Sequence, residues 1–117
     1  MIKGIGVDLV DLIRFESKLK ETPALIERIF TLEERDRSVQ SLAGVWASKE
    51  ALIKALGNPT GLNWQDVTVN KDSLGKPYLE LAGATKERSE QLGITSWHLS
   101  ISHDGGMACA FVVAEGN

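Results

Sequence analysis

Apolar and polar residues alternate from Ile2 to Leu12, with Ile5, Val7 and Leu9 on one side and Gly4, Gly6, Asp8 and Val10 on the other. That period of two predicts a strand, and the two glycines mark places where another backbone passes closely. Asp11 is a capping residue for a helix that continues through Leu12, Ile13, Phe15 and Leu19. Thr22-Pro23 restarts a short helix through Leu25, Ile26 and Ile29, and Thr31 with Glu34 has the spacing of a capping box for another. From Ser38 to Leu56 the apolar positions Leu42, Val45, Trp46, Ile53 and Leu56 recur at helical spacing with no proline between them. This is the longest helix of the chain, about 30 Å at the standard rise per residue. Gly57 is its natural stop, and Asn58 to Asn63 reads as a loop.

The pattern then shortens. Asp66 to Asn70 and Tyr78 to Leu81 are strands joined by turn residues Asp72-Ser73-Leu74-Gly75, which predicts a hairpin. Ala84 to Leu92 is a polar helix ended by Gly93. Ser96 to Ser102 alternates Trp97, Leu99 and Ile101 against His98, Ser100 and Ser102. Asp104-Gly105-Gly106 turns the chain into a last strand from Met107 to Ala114, whose core face is expected to be Met107, Cys109, Phe111 and Val113. Helices early and hairpins late imply an α+β fold, an antiparallel sheet packed against the long central helix, in a single domain over residues 1–117.

Composition narrows the class of partner. Thirteen Lys+Arg against sixteen Asp+Glu leave a net charge of −3, so a generally basic surface for nucleic acid is excluded. One cysteine, Cys109, forbids an internal disulfide or a cysteine-built zinc site. Asp8 and Asp11 interrupt the first apolar stretch, unlike a secretory signal. No apolar run approaches the roughly 20 residues of a membrane span. The expected location is the cytoplasm.

Against this background a few polar residues stand out. Asp8 lies inside an apolar strand, where a carboxylate is expected to face solvent, pair with an arginine or bind a hard metal. Glu50 and Lys54 are four residues apart on the long helix, the spacing of an ordinary ion pair or of an oxygen ligand beside a phosphate contact. Two carboxylates together with phosphates and water are what Mg²⁺ prefers. His103 ends a strand among hydroxyls and glycines, which serves a turn or an anion site equally well. Lys76 stands in a hairpin turn next to Pro77, and Arg14 and Lys18 share a helix face.

Four fragments occur in a fixed order: Gly4-Ile5-Gly6-Val7-Asp8-Leu9-Val10, then Trp46 to Lys54, then Gly75-Lys76-Pro77-Tyr78-Leu79, then Ser100-Ile101-Ser102-His103. In that order the chain resembles, over nearly its whole length, the holo-[acyl-carrier-protein] synthases, the short 4′-phosphopantetheinyl transferases. The resemblance implies that fold, and transfer of 4′-phosphopantetheine from coenzyme A to a serine of an acyl carrier protein in support of fatty acid biosynthesis. It implies Asp8 and Glu50 as Mg²⁺ ligands, Glu50 and Lys54 as catalytic groups, and Lys76, Ser102 and His103 as holders of the coenzyme A phosphates. It supports Arg14 in docking the acidic carrier, to which helical spacing adds Lys18. It also implies a homotrimer with the active site shared between neighbours. Two departures bear on this. Val45-Trp46 stands where many members have Arg-Phe, so one positive charge is missing, and the segment between Asp8 and Glu50 is several residues shorter. A Mg²⁺-dependent phosphohydrolase fits the same carboxylates, and a non-catalytic module could bind an acidic carrier through Arg14 and Lys18.

Overall fold

The computed structural model describes residues 1–57 and 61–117. Its elements run β1 (Ile2–Asp11), α1 (Leu12–Glu21), α2 (Ala24–Ile29), α3 (Val39–Leu56), a 3₁₀ turn (Trp64–Asp66), β2 (Val67–Lys71), β3 (Pro77–Leu81), α4 (Gly83–Gln91), β4 (Ile94–Asp104) and β5 (Met107–Gly116). β1, β5 and β4 form an antiparallel three-stranded sheet in that order, and β2 and β3 form the separate hairpin. Each strand matches its expected segment within a few residues. The loop expected at Asn58–Asn63 lies partly outside the described residues.

The long helix is the centre of the molecule because it is apolar nearly all round. One side of α3 presents Ala47, Ala51 and Ala55 and lies against Ala108, Ala110 and Val112 of β5. Small residues on both partners let helix and sheet approach closely. The approach is tightest at β1, where a Cβ on Gly4 would fall 2.0 Å from the Ala55 carbonyl oxygen and one on Gly6 1.8 Å from that of Ala51. No side chain fits at either position. The other side of α3 buries Leu52, Ile53 and Leu56 against Val67 of the hairpin and Ile94. A side chain fully buried like Leu52 contributes about 1.5–3 kcal/mol. Ser38 caps the helix, its hydroxyl accepting from the Ser41 N–H at 3.1 Å, and Gly57 ends it in the left-handed conformation at φ 83°.

Two expectations are corrected. The core face of β5 is Ala108, Ala110, Val112 and Ala114, while Met107, Cys109, Phe111 and Val113 point away from α3, and Phe111 is 45% exposed. The larger apolar residues suggested the opposite face; the close helix demands the small ones. With Ile5 (57% exposed) and Leu9 (63%) of β1, they make the outer face of the sheet apolar.

The second correction concerns Thr31 and Glu34. The Thr31 N–H donates to Glu34 Oε1 at 2.9 Å, as a capping box requires, but turns rather than a helix follow. Glu34 is drawn inside instead. Its carboxylate accepts from Lys49 Nζ at 2.7 Å and from the Val69 N–H at 2.7 Å. Lys49 Nζ also donates to the carbonyls of Ile29 (2.8 Å) and Trp64 (3.1 Å), so all three of its protons are used. Burial lowers the Lys49 pKa, and the Glu34 carboxylate opposes that shift.

Candidate active site

Asp8 reaches α3 for the same reason that Gly4 and Gly6 must be glycine: all three lie on the helix-facing side of β1. Lys54, in the last turn of α3, donates to Asp8 Oδ1 at 3.0 Å and to the Val7 carbonyl at 2.9 Å. The spacing of Glu50 and Lys54 allows an ordinary helical ion pair, but among the described residues the ion pair of Lys54 is with Asp8. Glu50 sits one turn earlier and half-buried. Its pKa is raised, first by burial and then by the Asp8 carboxylate, with Lys54 acting in the opposite direction. A carboxyl shifted upwards is a better proton acceptor near neutral pH than a free surface glutamate.

Two neighbouring carboxylates repel and so favour a cation between them. The described residues offer no group of three or more His, Cys, Asp and Glu around a common point. That is the wrong donor set for a closed zinc site and a suitable one for Mg²⁺, which keeps water and phosphate as its other ligands. Asp8 and Glu50 are the residues that fit this role.

Asp8 also opens onto a cavity of about 220 Å³ lined by Asp11, Arg14, Phe15, Lys18 and Trp46 among others. Arg14 and Lys18 therefore share the wall of that cavity with Asp8. The Arg14 N–H is taken by Asp11 Oδ1 at 2.9 Å, which caps α1 as expected.

His103 belongs to a second cluster. It lies on the helix-facing side of β4, where Nε2 meets the Gln40 carbonyl at 2.9 Å. Gly44 leaves it room, since a Cβ there would come within 3.2 Å of the ring. The adjoining cavity, about 270 Å³, is walled by His103, Arg37, Ser41, Val45 and Lys71, with Gly75 and Pro77 of the hairpin turn. Lys76 is exposed at that turn, and its backbone N–H is held by Asp72 Oδ1 at 2.9 Å. Ser102 points to the opposite face of β4 from His103, where it is exposed.

The chain thus joins Asp8, Glu50 and Lys54 closely and puts Arg14 and Lys18 beside them. His103 stands apart with the hairpin turn. Asp8 and His103 share a face of the sheet but lie on its two outer strands, with β5 between them, a lateral step of about 10 Å. Ser102 joins neither group within one chain.

Two features escape a reading of the sequence by motif. The Glu34–Lys49 pair had a usable signal: Lys49 falls on the apolar stripe Leu42, Val45, Leu52, Leu56, and a lysine on such a stripe needs a buried acid. Arg37 had none, because only the packing of the hairpin against the start of α3 brings it to His103.

Residues 4–112 match the family model described as the 4′-phosphopantetheinyl transferase superfamily. The chain is 50% identical to the holo-[acyl-carrier-protein] synthase of Clavibacter michiganensis, over 100% of this chain and 98% of that one. It superimposes on the crystal structure of holo-[acyl-carrier-protein] synthase from Neisseria meningitidis with a TM-score of 0.91 at 35% identity, covering 98% and 99% of the two chains. The Helicobacter pylori synthase in complex with coenzyme A gives a TM-score of 0.84 at 34% identity, covering 95% and 99%.

Proposed function

This chain belongs to the 4′-phosphopantetheinyl transferase superfamily, and from that premise we propose that it transfers 4′-phosphopantetheine from coenzyme A to a serine of an apo acyl carrier protein. The observation that carries the reading is the Asp8–Lys54 contact with Glu50 beside it, in a chain half identical to a named synthase.

The serine hydroxyl attacks the phosphorus that bears the pantetheine. A bond forms from serine oxygen to phosphorus, and the bond to the bridging oxygen on the adenosine side breaks. Adenosine 3′,5′-bisphosphate leaves with that oxygen and its electron pair. The serine proton passes to Glu50, whose raised pKa suits it to accept one. Lys54 carries the positive charge that steadies the phosphoryl oxygens as they gather charge, which is where phosphoryl-transfer catalysis obtains most of its effect. Mg²⁺ held by Asp8 and Glu50 would supply further charge neutralisation on the pyrophosphate. Arg14 and Lys18 guide the acidic carrier to the same end of the site.

The apolar outer face of the sheet supports contact between copies of the chain, which in this reading assemble as a homotrimer. Antiparallel sheets that face water on one side are polar there; this one exposes Ile5, Val7, Leu9 and Phe111. A contiguous apolar surface is a contact surface. Subunit packing over it lets one chain supply Asp8, Glu50 and Lys54 while the next supplies Lys76, Ser102 and His103. No helix of the described residues is long and apolar enough to cross a membrane. In this reading the enzyme works in the cytoplasm in support of fatty acid biosynthesis.

Mass spectrometry of an apo carrier protein incubated with coenzyme A, Mg²⁺ and the protein tests the reaction. A gain of one phosphopantetheine with release of adenosine 3′,5′-bisphosphate supports it. Free phosphate without transfer identifies a phosphohydrolase, and no chemistry leaves a binding module. Mixing Glu50→Gln with His103→Ala under subunit exchange tests the shared site: activity reappears if the two residues act across an interface, and stays at the sum of the two variants if they act within one chain.

A further inference from the structure

Helix α2 is too short to hold itself in place. Its six residues fall well below the length at which an isolated helix persists in water, and its N-terminus at Pro23 has no side-chain cap. Its C-terminal end is held from outside. Gln65 Nε2 donates to the carbonyls of Glu27 at 2.7 Å, Phe30 at 2.9 Å and, more weakly, Arg28 at 3.3 Å. Arg35 adds bonds to the carbonyls of Phe30 (3.0 Å) and Glu27 (3.3 Å), and Lys49 adds one to that of Ile29 (2.8 Å). Carbonyls at a helix C-terminus have no partner within the helix, so these side chains close the end of α2. We propose that Gln65 is a positioning residue for carrier recognition: by fixing the end of α2 it holds Arg28 in the wall of a cavity that adjoins the active site. This rests on the transferase reading above.

Gln65 is itself held still. Its N–H donates to Asn63 Oδ1 at 2.9 Å, and the carboxylate of the next residue, Asp66, accepts from the Thr85 N–H at 3.3 Å and hydroxyl at 3.2 Å. The amide therefore reaches α2 from a turn anchored on α4, and it brings two N–H donors without a charge.

The position of α2 matters because of what the helix carries. It contributes Leu25, Arg28 and Ile29 to a cavity of about 430 Å³. Phe15, Lys18 and Trp46 line that cavity and also the one at Asp8, so the two adjoin. No aspartate or glutamate lines the larger cavity. Lys18 and Arg28 have no carboxylate within 4.0 Å among the described residues. Apolar walls with an unpaired cation on each of two helices complement the acidic carrier already assigned to Arg14 and Lys18. Arg28 is the cation whose place depends on Gln65, since it lies in the turn that the amide holds.

The test is steady-state transfer with carrier and coenzyme A varied separately, together with calorimetric binding of apo carrier to each protein. Gln65→Met keeps the side-chain length and neutrality and removes both donors. It should raise the carrier KM and Kd about five- to tenfold, with kcat and the coenzyme A KM within about twofold of wild type. Gln65→Asn keeps the amide but draws it back by one methylene, and should shift the same two constants about threefold. Arg28→Ala should raise the carrier KM by a factor like that of Gln65→Met. Adding Gln65→Met to it should then cost less than about twofold more, because both act through one contact. A merely structural brace gives another pattern: the variant is partly unfolded, kcat falls and both KM values stay. That pattern overturns the inference, as does an unchanged carrier KM in Gln65→Met or full multiplication of the Gln65 and Arg28 effects. If Gln65→Met does not fold, Gln65→Asn decides by the same criteria. A wild type that binds carrier without transfer sinks the transferase reading and leaves Gln65 to be judged by the calorimetric Kd; a wild type that binds no carrier overturns the inference as well.

Discussion

Lys49 and Glu50 are adjacent on α3, and their surroundings are opposite. Lys49 and its partner Glu34 are 0% exposed, and Lys49 spends every proton on Glu34 and two carbonyls. Glu50 is half-buried next to Asp8, and Lys54 pairs with Asp8 rather than with it. Both regions combine acids with a lysine. The first is satisfied internally and ties α3 to β2 and to the segment around Ile29. The second keeps excess negative charge at an opening, where a cation or a proton can still be accommodated. One pair holds the helix; the other leaves Glu50 outside the ion pair. Charged residue type alone does not separate structure from chemistry, whereas the count of unused donors and acceptors does.

The largest effect should come from the buried side. Lys49→Met leaves the Glu34 carboxylate buried without its cation and should cost about 3–5 kcal/mol in denaturant unfolding. Adding Glu34→Gln should recover part of that loss. A cost under about 1 kcal/mol would mean that the pair contributes no more than an exposed one. On the reactive side, Asp8→Asn and Glu50→Gln should each fold normally and lose at least about 100-fold in transfer rate, the scale of a general base or an electrostatic stabiliser. Near-normal turnover at saturating Mg²⁺ in either variant contradicts its role.

A smaller effect is expected at the rim. Arg14→Glu should raise the KM for carrier protein about tenfold, with little change for coenzyme A. Wild-type carrier affinity should fall with salt, because exposed charges are screened beyond about 8 Å at physiological ionic strength. An unchanged carrier KM and no salt effect would remove Arg14 and Lys18 from the docking face.

The smallest effect follows from the raised pKa of Glu50. With the folded value above the unfolded one, the folded state binds the proton more tightly. Stability is then greatest with the carboxyl protonated and declines as pH rises from the unfolded value, about 4.3, through the folded one. Glu50→Gln should therefore be slightly more stable than wild type at neutral pH, with the gain vanishing below about pH 4. Equal melting temperatures at pH 7 would show that the site stores no such cost.

Much of the fold was legible because its signals are local. Alternation marked the strands, Gly4 and Gly6 marked a close backbone approach, and Asp11 and Gly57 capped their helices as expected, while Ser38, read as the first residue of the long helix, is its cap. The face of β5 was not legible. Period two identifies two faces but not which one is covered, and hydrophobicity favoured Phe111 and Val113 over the alanines that α3 requires. The Asp8–Lys54 contact was not legible: helical spacing paired Lys54 with Glu50, and the expected partner of Asp8 was solvent, an arginine or a metal, whereas the close packing of β1 on α3 brings Lys54 to it. The position of Arg37 was invisible because the cavity it lines is formed by residues far apart in the chain.

The most direct test of these opposed neighbours uses one preparation each of wild type and Glu50→Gln. Each is unfolded in denaturant and, in parallel, incubated with apo carrier protein, coenzyme A and Mg²⁺ for mass spectrometry. The account predicts that the variant unfolds no more easily than wild type while wild type alone adds one phosphopantetheine to the carrier. A wild type that adds nothing, or a Glu50→Gln variant that modifies the carrier at a near-normal rate, would contradict it.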